Sequence, residues 1–162
     1  MDVKDNWVDI RKHFNKAFRS NFYVSIASVD EDNKPTVTPI GSLFLNRDQT
    51  GYYFEKYPQS LPRHAEANPN ICALAVNSSV FFWLKSLFRG KFKSSPAIKL
   101  YGVLENRRPA TPEEIIRLQK RMRATRGMKG NTYLWGDMQC VRDIRFDRAE
   151  SVKLGEMTSG LS

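Results

Sequence analysis

Apolar and polar residues alternate with two different periods along this chain, and the switches between periods mark its elements. Over 2–20, Trp7, Ile10, Phe14 and Phe18 recur at i, i+3, i+7 and i+11 while Arg11, Lys12 and Lys16 fall elsewhere, which predicts an amphipathic helix. Asn6 is its candidate cap, with Asp9 adding charge near the positive end. At Phe22 the period drops to two: Phe22, Val24 and Ile26 alternate with Tyr23, Ser25 and Ala27. After the turn DEDNKP, the segment 36–45 resumes an extended, β-branched pattern, so 22–45 predicts a hairpin. Its second strand contains TPIGS. Pro39 and Gly41 both weaken a strand interior, so this stretch is bulged, at an edge, a barrel corner, or approached closely by a ring from outside.

The turn NRDQTG leads into 51–76, GYYFEKYPQSLPRHAEANPNICALAV, around which the chain is organised. It reads as a strand (52–55), a polar turn with Lys56, Ser60, Arg63 and His64, a short helix, and a strand (71–76). Ser60 is the candidate cap, Pro62 suits the first helical turn, and Asn68, ahead of Pro69, stops the helix. A helix start with a hydroxyl and two cationic side chains can hold a phosphate; it can equally be a solvated cap.

Segment 77–96 is longer than a turn and interleaves Phe81, Phe82, Trp83, Leu84, Leu87, Phe88 and Phe92 with Lys85, Arg89, Lys91 and Lys93. A lid, a dimer contact and a single-stranded nucleic-acid surface compete here, and a short amphipathic helix favours the first two. A strand follows at 97–104. Over 111–126 the capping box Thr111/Glu114, Pro112 and a terminal Gly127 frame a helix with the stripe Ile115, Leu118, Met122 and a basic, solvated remainder. A loop at 127–136 with Tyr133 and Trp135 as anchors, a strand at 140–146 and a short strand at 151–154 complete the reading.

Composition narrows the function. The 162 residues suit one domain, 1–162, without repeats or linkers. Two isolated cysteines argue for free thiols in a reducing cytosol and against a disulfide framework or zinc site. No secretory signal is visible, and the longest apolar run, 80–84, cannot span a bilayer; a cytoplasmic protein without membrane contact is expected. A net charge of +9, from 26 basic and 17 acidic residues, favours an anionic partner without choosing one.

With the strings DEDNKPTVTPIGSLFL, GYYFEKYPQSLPRHAEANPNICALAV and AIKLYGVLEN, the order of elements resembles the FMN-binding split-barrel proteins related to pyridoxamine 5'-phosphate oxidase. The resemblance implies a mainly β fold with flanking helices, a six-stranded antiparallel split β-barrel, working as a homodimer with FMN between the subunits. It places Thr38, Pro39, Ile40, Gly41 and Ser42 along the flavin, Glu55 and Lys56 near its ring edge, and Ser60, Arg63 and His64 at the phosphate. The family's phosphate lysine is missing from the segment Ser60-Leu61-Pro62-Arg63; Arg63 or the cations Arg89, Lys91 and Lys93 would replace it. The substrate arginine of the vitamin oxidases has no counterpart in LGEMTSGLS, so that particular activity is not expected. The implied function is an FMN-dependent oxidoreductase passing hydride through flavin N5 to or from a small molecule. Alternatives are a non-catalytic flavin, deazaflavin or haem binder, and a basic nucleic-acid module.

Overall fold

The computed structural model describes residues 1–161. Seven strands, β1 (Val24–Val29), β2 (Pro35–Ile40), β3 (Leu43–Leu45), β4 (Thr50–Phe54), β5 (Asn70–Val76), β6 (Ala97–Pro109) and β7 (Cys140–Ser151), form one antiparallel sheet in the order β2-β1-β5-β6-β7-β4-β3. Only Gly41 and Ser42 separate β2 from β3, yet these strands are the opposite edges of the sheet. The sheet therefore curls until its edges meet, which is what a split barrel is. Six strands were expected; the count is seven because 36–45 breaks at Gly41–Ser42, the position where proline and glycine weaken it.

Helix α1 (Val3–Asn21) plugs the curl. Trp7, Ile10, Phe14 and Phe18 are buried against Val24, Ile26, Leu43, Tyr53, Ala73 and Leu100, as the stripe predicts. Its cap is Asp2 rather than Asn6: the Asp2 carboxylate accepts from the amides of Lys4 (2.7 Å) and Asp5 (3.3 Å), because burying Val3 extends the helix by a turn. At the other end Phe22 is the left-handed cap, exposed to solvent, so the strand begins two residues later than its pattern predicts.

A second core lies outside the barrel, where α4 (Pro112–Arg121) packs Leu118 on Phe44, Tyr52, Phe54 and Val141. The Thr111/Glu114 capping box is present, and Arg108 joins Glu114 (2.7 Å) to Asp143 (2.7 Å), tying the helix start to β6 and β7. α4 stops at Arg121, short of Gly127, and passes into a 3-10 turn, Arg123–Thr125. Segment 127–136 is not a loop: it contains α5 (Lys129–Trp135). The strands at 97–104 and 140–146 each run longer than their apolar patterns, and 151–154 is no separate strand but the end of β7 followed by a 3-10 turn, Gly155–Thr158. Gly102 sits at the bulge between β6 and β7, where a β-carbon would stand 2.4 Å from the Arg145 carbonyl.

Helix α2 (Ser60–Ala67) begins at Ser60 itself with Gln59 as an unassisted cap, and it ends at extended Asn68 as Pro69 requires. Helix α3 (Val80–Arg89) occupies the long basic segment. Both cysteines are free and half-buried. Among the described residues, no helix is long and apolar enough to cross a membrane.

Candidate functional site

The seam where β2 gives way to β3 gathers one group of the expected site residues. On the edge strand Thr38 is half-buried and Pro39 exposed, while Ile40 turns into the core. Ser42 is buried; its hydroxyl accepts from the Phe54 amide (3.2 Å) and donates to the Phe54 carbonyl (3.4 Å), so it holds the strand ends together. Because Leu43 pairs with Tyr53, the bend faces the end of β4, where Glu55 and Lys56 follow.

Gly41 is the point of closest approach. A β-carbon there would stand 2.9 Å from Cη2 of Trp135 and 3.1 Å from the Phe22 carbonyl oxygen. Trp135 is the last residue of α5, which folds over the bend and is fastened by two further contacts: the Tyr57 hydroxyl donates to the Tyr133 carbonyl, and Lys56 faces Asp137 at 4.0 Å. Below the bend, Arg121 donates to the carbonyls of Gly41 (3.4 Å) and Leu43, with its guanidinium 3.6 Å from the Phe44 ring centroid and 4.1 Å from that of Phe18. Burial, with Arg117 nearby, lowers its pKa to about 9. No carboxylate pairs with it among the described residues.

Glu55 is committed inside the protein. Arg142 donates to both its oxygens (to Oε1 at 3.0 Å), Tyr53 donates at 2.6 Å, and Arg107 stands 3.4 Å away. The carboxylate raises the Arg142 pKa, and burial followed by Glu55 raises that of Tyr53 well above the ordinary phenol value.

The other expected group lies apart, at the turn between β1 and β2. His64 is buried with Nδ1 2.9 Å from the Ser28 hydroxyl. Arg63 is exposed, and the hollow of about 270 Å³ beside it is lined by Asp30, Glu31, Asp32, Arg63 and His64. Three carboxylates give that hollow the wrong sign for a phosphate. Ser60 caps nothing with its side chain. The structure thus brings Gly41, Ser42, Glu55 and Lys56 together and keeps Arg63 and His64 with the acidic turn, Ser60 standing at the start of the same helix.

Sequence reasoning passed over Arg121, Arg117 and Arg142. The sequence pattern puts Arg121 on the solvated face of its helix; it lies inward because position 121 shares a stripe with 114 and 118, and a guanidinium can cover aromatic rings. Arg117 likewise lies over Phe44 and Tyr52.

No family model and no curated protein matches the chain. Solved structures do match it. It is similar to an FMN-binding protein from Syntrophomonas wolfei (TM-score 0.58, 14% identity, covering 94% of this chain and 95% of that one). An F420 reductase (0.54, 12%, 85% and 95%) and the haem storage protein HutZ from Vibrio cholerae (0.51, 11%, 93% and 95%) are similar too. At these identities the likeness shows the fold alone, a split barrel. Within it, FMN, F420 and haem proteins share one frame, so the frame admits a flavin or a related ligand without selecting FMN.

Proposed function

We propose that the chain binds a flavin on the bend between β2 and β3 and acts as an FMN-dependent oxidoreductase on a small molecule, two copies enclosing the cofactor. The observation that carries this reading is Gly41: the backbone there bears no side chain and already receives an aromatic ring. Thr38 and Pro39 would lie along the isoalloxazine, with Ile40 meeting it only through its backbone because its side chain is buried in the core. Lys56, held loosely at 4.0 Å by Asp137, would meet the electron-rich ring edge. Arg121 fixes the bend from below, so the platform does not collapse when the ring above it changes. When bound, the flavin supplies hydride transfer through N5; the protein supplies position and electrostatics.

The ring fits these residues better than the phosphate fits the start of α2, where Arg63 and His64 have acidic neighbours. The haem alternative has less support here, because both histidines are engaged: His13 Nε2 lies 2.9 Å from the Ala75 carbonyl, and His64 bonds Ser28. An F420-type deazaflavin has the same ring geometry and is the competing ligand.

The test is the visible spectrum of the purified chain after incubation with FMN or F420 and desalting, with light scattering to count copies. Retained FMN with quenched fluorescence on a dimer is expected. A colourless chain after both incubations overturns the reading, and retention of F420 alone changes the cofactor.

A further inference from the structure

Helix α3 is anchored by one side only. Phe82 and Trp83 pack on Phe92, with ring centroids 5.4 and 5.2 Å away, and Trp83 Nε1 donates to the Asn77 carbonyl (2.7 Å). The opposite side carries Val80, Phe81, Leu84, Leu87 and Phe88, spaced as one helical face and all largely exposed, Phe88 at 94%. Large apolar side chains scattered singly over a surface need no explanation, but five on one face of a ten-residue helix do.

Beside this face lies a cleft of about 720 Å³ between α3, the end of α1 and the segment 91–94. Six cations line it: Lys16, Arg19, Lys85, Arg89, Lys91 and Lys93. No carboxylate does. None of the six is ion-paired among the described residues. The carboxylates that do form ion pairs lie elsewhere, on α1, α4, β7 and the segments between elements as well as β6. Arg89 closes the last turn of α3, and the left-handed Gly90 redirects the chain so that Lys91 and Lys93 stay beside the helix.

We propose that α3 and this cleft dock the protein on an anionic phospholipid surface, the apolar side chains entering the headgroup boundary and the cations meeting phosphate groups. Charge decides between occupants. A second copy seated across a two-fold axis on the same face would set six unpaired cations against six, and a neutral partner would leave them unmatched. An anionic bilayer matches both the charge and the apolar face. A helix of ten residues is about 15 Å long, enough to lie in the interface and far too short to cross it. The sequence-based expectation of no membrane contact rested on run length, which bears on spanning and not on surface docking. The proposal is independent of the flavin reading.

The experiment is co-sedimentation of the full chain with vesicles of phosphatidylcholine alone or mixed with phosphatidylglycerol, at low and physiological salt. Binding to the mixed vesicles only is expected, weakened by salt. It should fall by about tenfold or more in Lys16→Glu/Lys85→Glu, which leaves Arg89, Lys91 and Lys93 in place, and in Phe81→Ser/Phe88→Ser. These residues are exposed, so unfolding is not expected, and unchanged circular dichroism and flavin retention in each variant separate this test from that of the cofactor site. Equal binding to neutral vesicles, or no binding, overturns the proposal; the latter leaves an acidic protein as the partner. Binding that ignores Phe81→Ser/Phe88→Ser overturns the inserted helix. A dimer that dissociates on Phe88→Ser assigns the face to a second copy and overturns the proposal as well.

Discussion

Trp135 and Gly41 are in contact across the seam of the barrel, and the contact leaves no room for a β-carbon at position 41: it would stand 2.9 Å from the indole. Gly41→Ala should therefore destabilise the protein by about 1–3 kcal/mol through overpacking. In a Trp135→Ala background the same substitution should cost clearly less, because only the Phe22 carbonyl at 3.1 Å remains to oppose it. Urea unfolding of the four proteins of this cycle measures the coupling. A coupling of zero would mean that the indole does not rest on the bend in solution.

The bend also shows how far the sequence could be read. Pro39 and Gly41 announced a disturbed strand, and the strand does break at Gly41–Ser42. What local pattern could not reveal is that β2 and β3 end on opposite edges, since this depends on the order of all seven strands. The cap at Asp2 and the end of α4 were misread for a similar reason: burial of Val3 and the inward turn of Arg121 are tertiary events. α5 has no apolar stripe of its own, and one of its anchors, Trp135, finds its partner at position 41. The spacing of 77–96 did allow a short helix, but not the knowledge that its apolar face points to solvent. Charge placement was the least legible feature. The serine, arginine and histidine of α2 read as a phosphate cradle, and only the fold shows Asp30, Glu31 and Asp32 beside Arg63 and His64.

Glu55 separates a structural role from a ligand role. Its carboxylate is buried and answers Arg142, Arg107 and Tyr53 together. Glu55→Gln leaves two guanidinium groups without their counter-charge and should cost about 2–3 kcal/mol of stability. The folded variant should retain flavin affinity within about twofold, a difference well under 1 kcal/mol. Calorimetry and flavin titration on the same sample check both. A large loss of affinity with an unchanged melting temperature would put Glu55 on the ring edge, as the resemblance implies.

Arg63 tests the phosphate assignment. Exposed and facing three carboxylates, it offers an incoming phosphate little net positive potential. Arg63→Ala should therefore change FMN affinity by less than about twofold. A charge-assisted phosphate contact would instead be worth about 1.5–3 kcal/mol, a loss of tenfold or more in fluorescence titration. That result would restore the phosphate to the start of α2 and require the acidic turn to move away when ligand binds.

His13 sets the acid limb of stability. It is buried in α1, and a carbonyl can only accept, so the 2.9 Å contact with Ala75 requires the proton on Nε2. Burial, opposed by that hydrogen bond and aided by Lys16, lowers its pKa below the ordinary imidazole value of 6.5. The unfolded chain therefore binds a proton first as pH falls, and protonation favours unfolding. The contribution of neutral His13 is fully present above pH 6.5, is lost progressively below it, and levels off once pH passes the lowered folded value. Urea midpoints for the native chain should fall between neutral and mildly acidic pH. In His13→Gln, which keeps an amide donor for Ala75 but does not titrate, the fall should be shallower from a lower starting stability. Parallel curves for the two proteins would mean that the imidazole is not the group responsible, and the acid limb would then pass to the paired carboxylates of Glu114 and its partners, where Arg108 holds the Glu114 carboxyl below its ordinary value against the pull of burial.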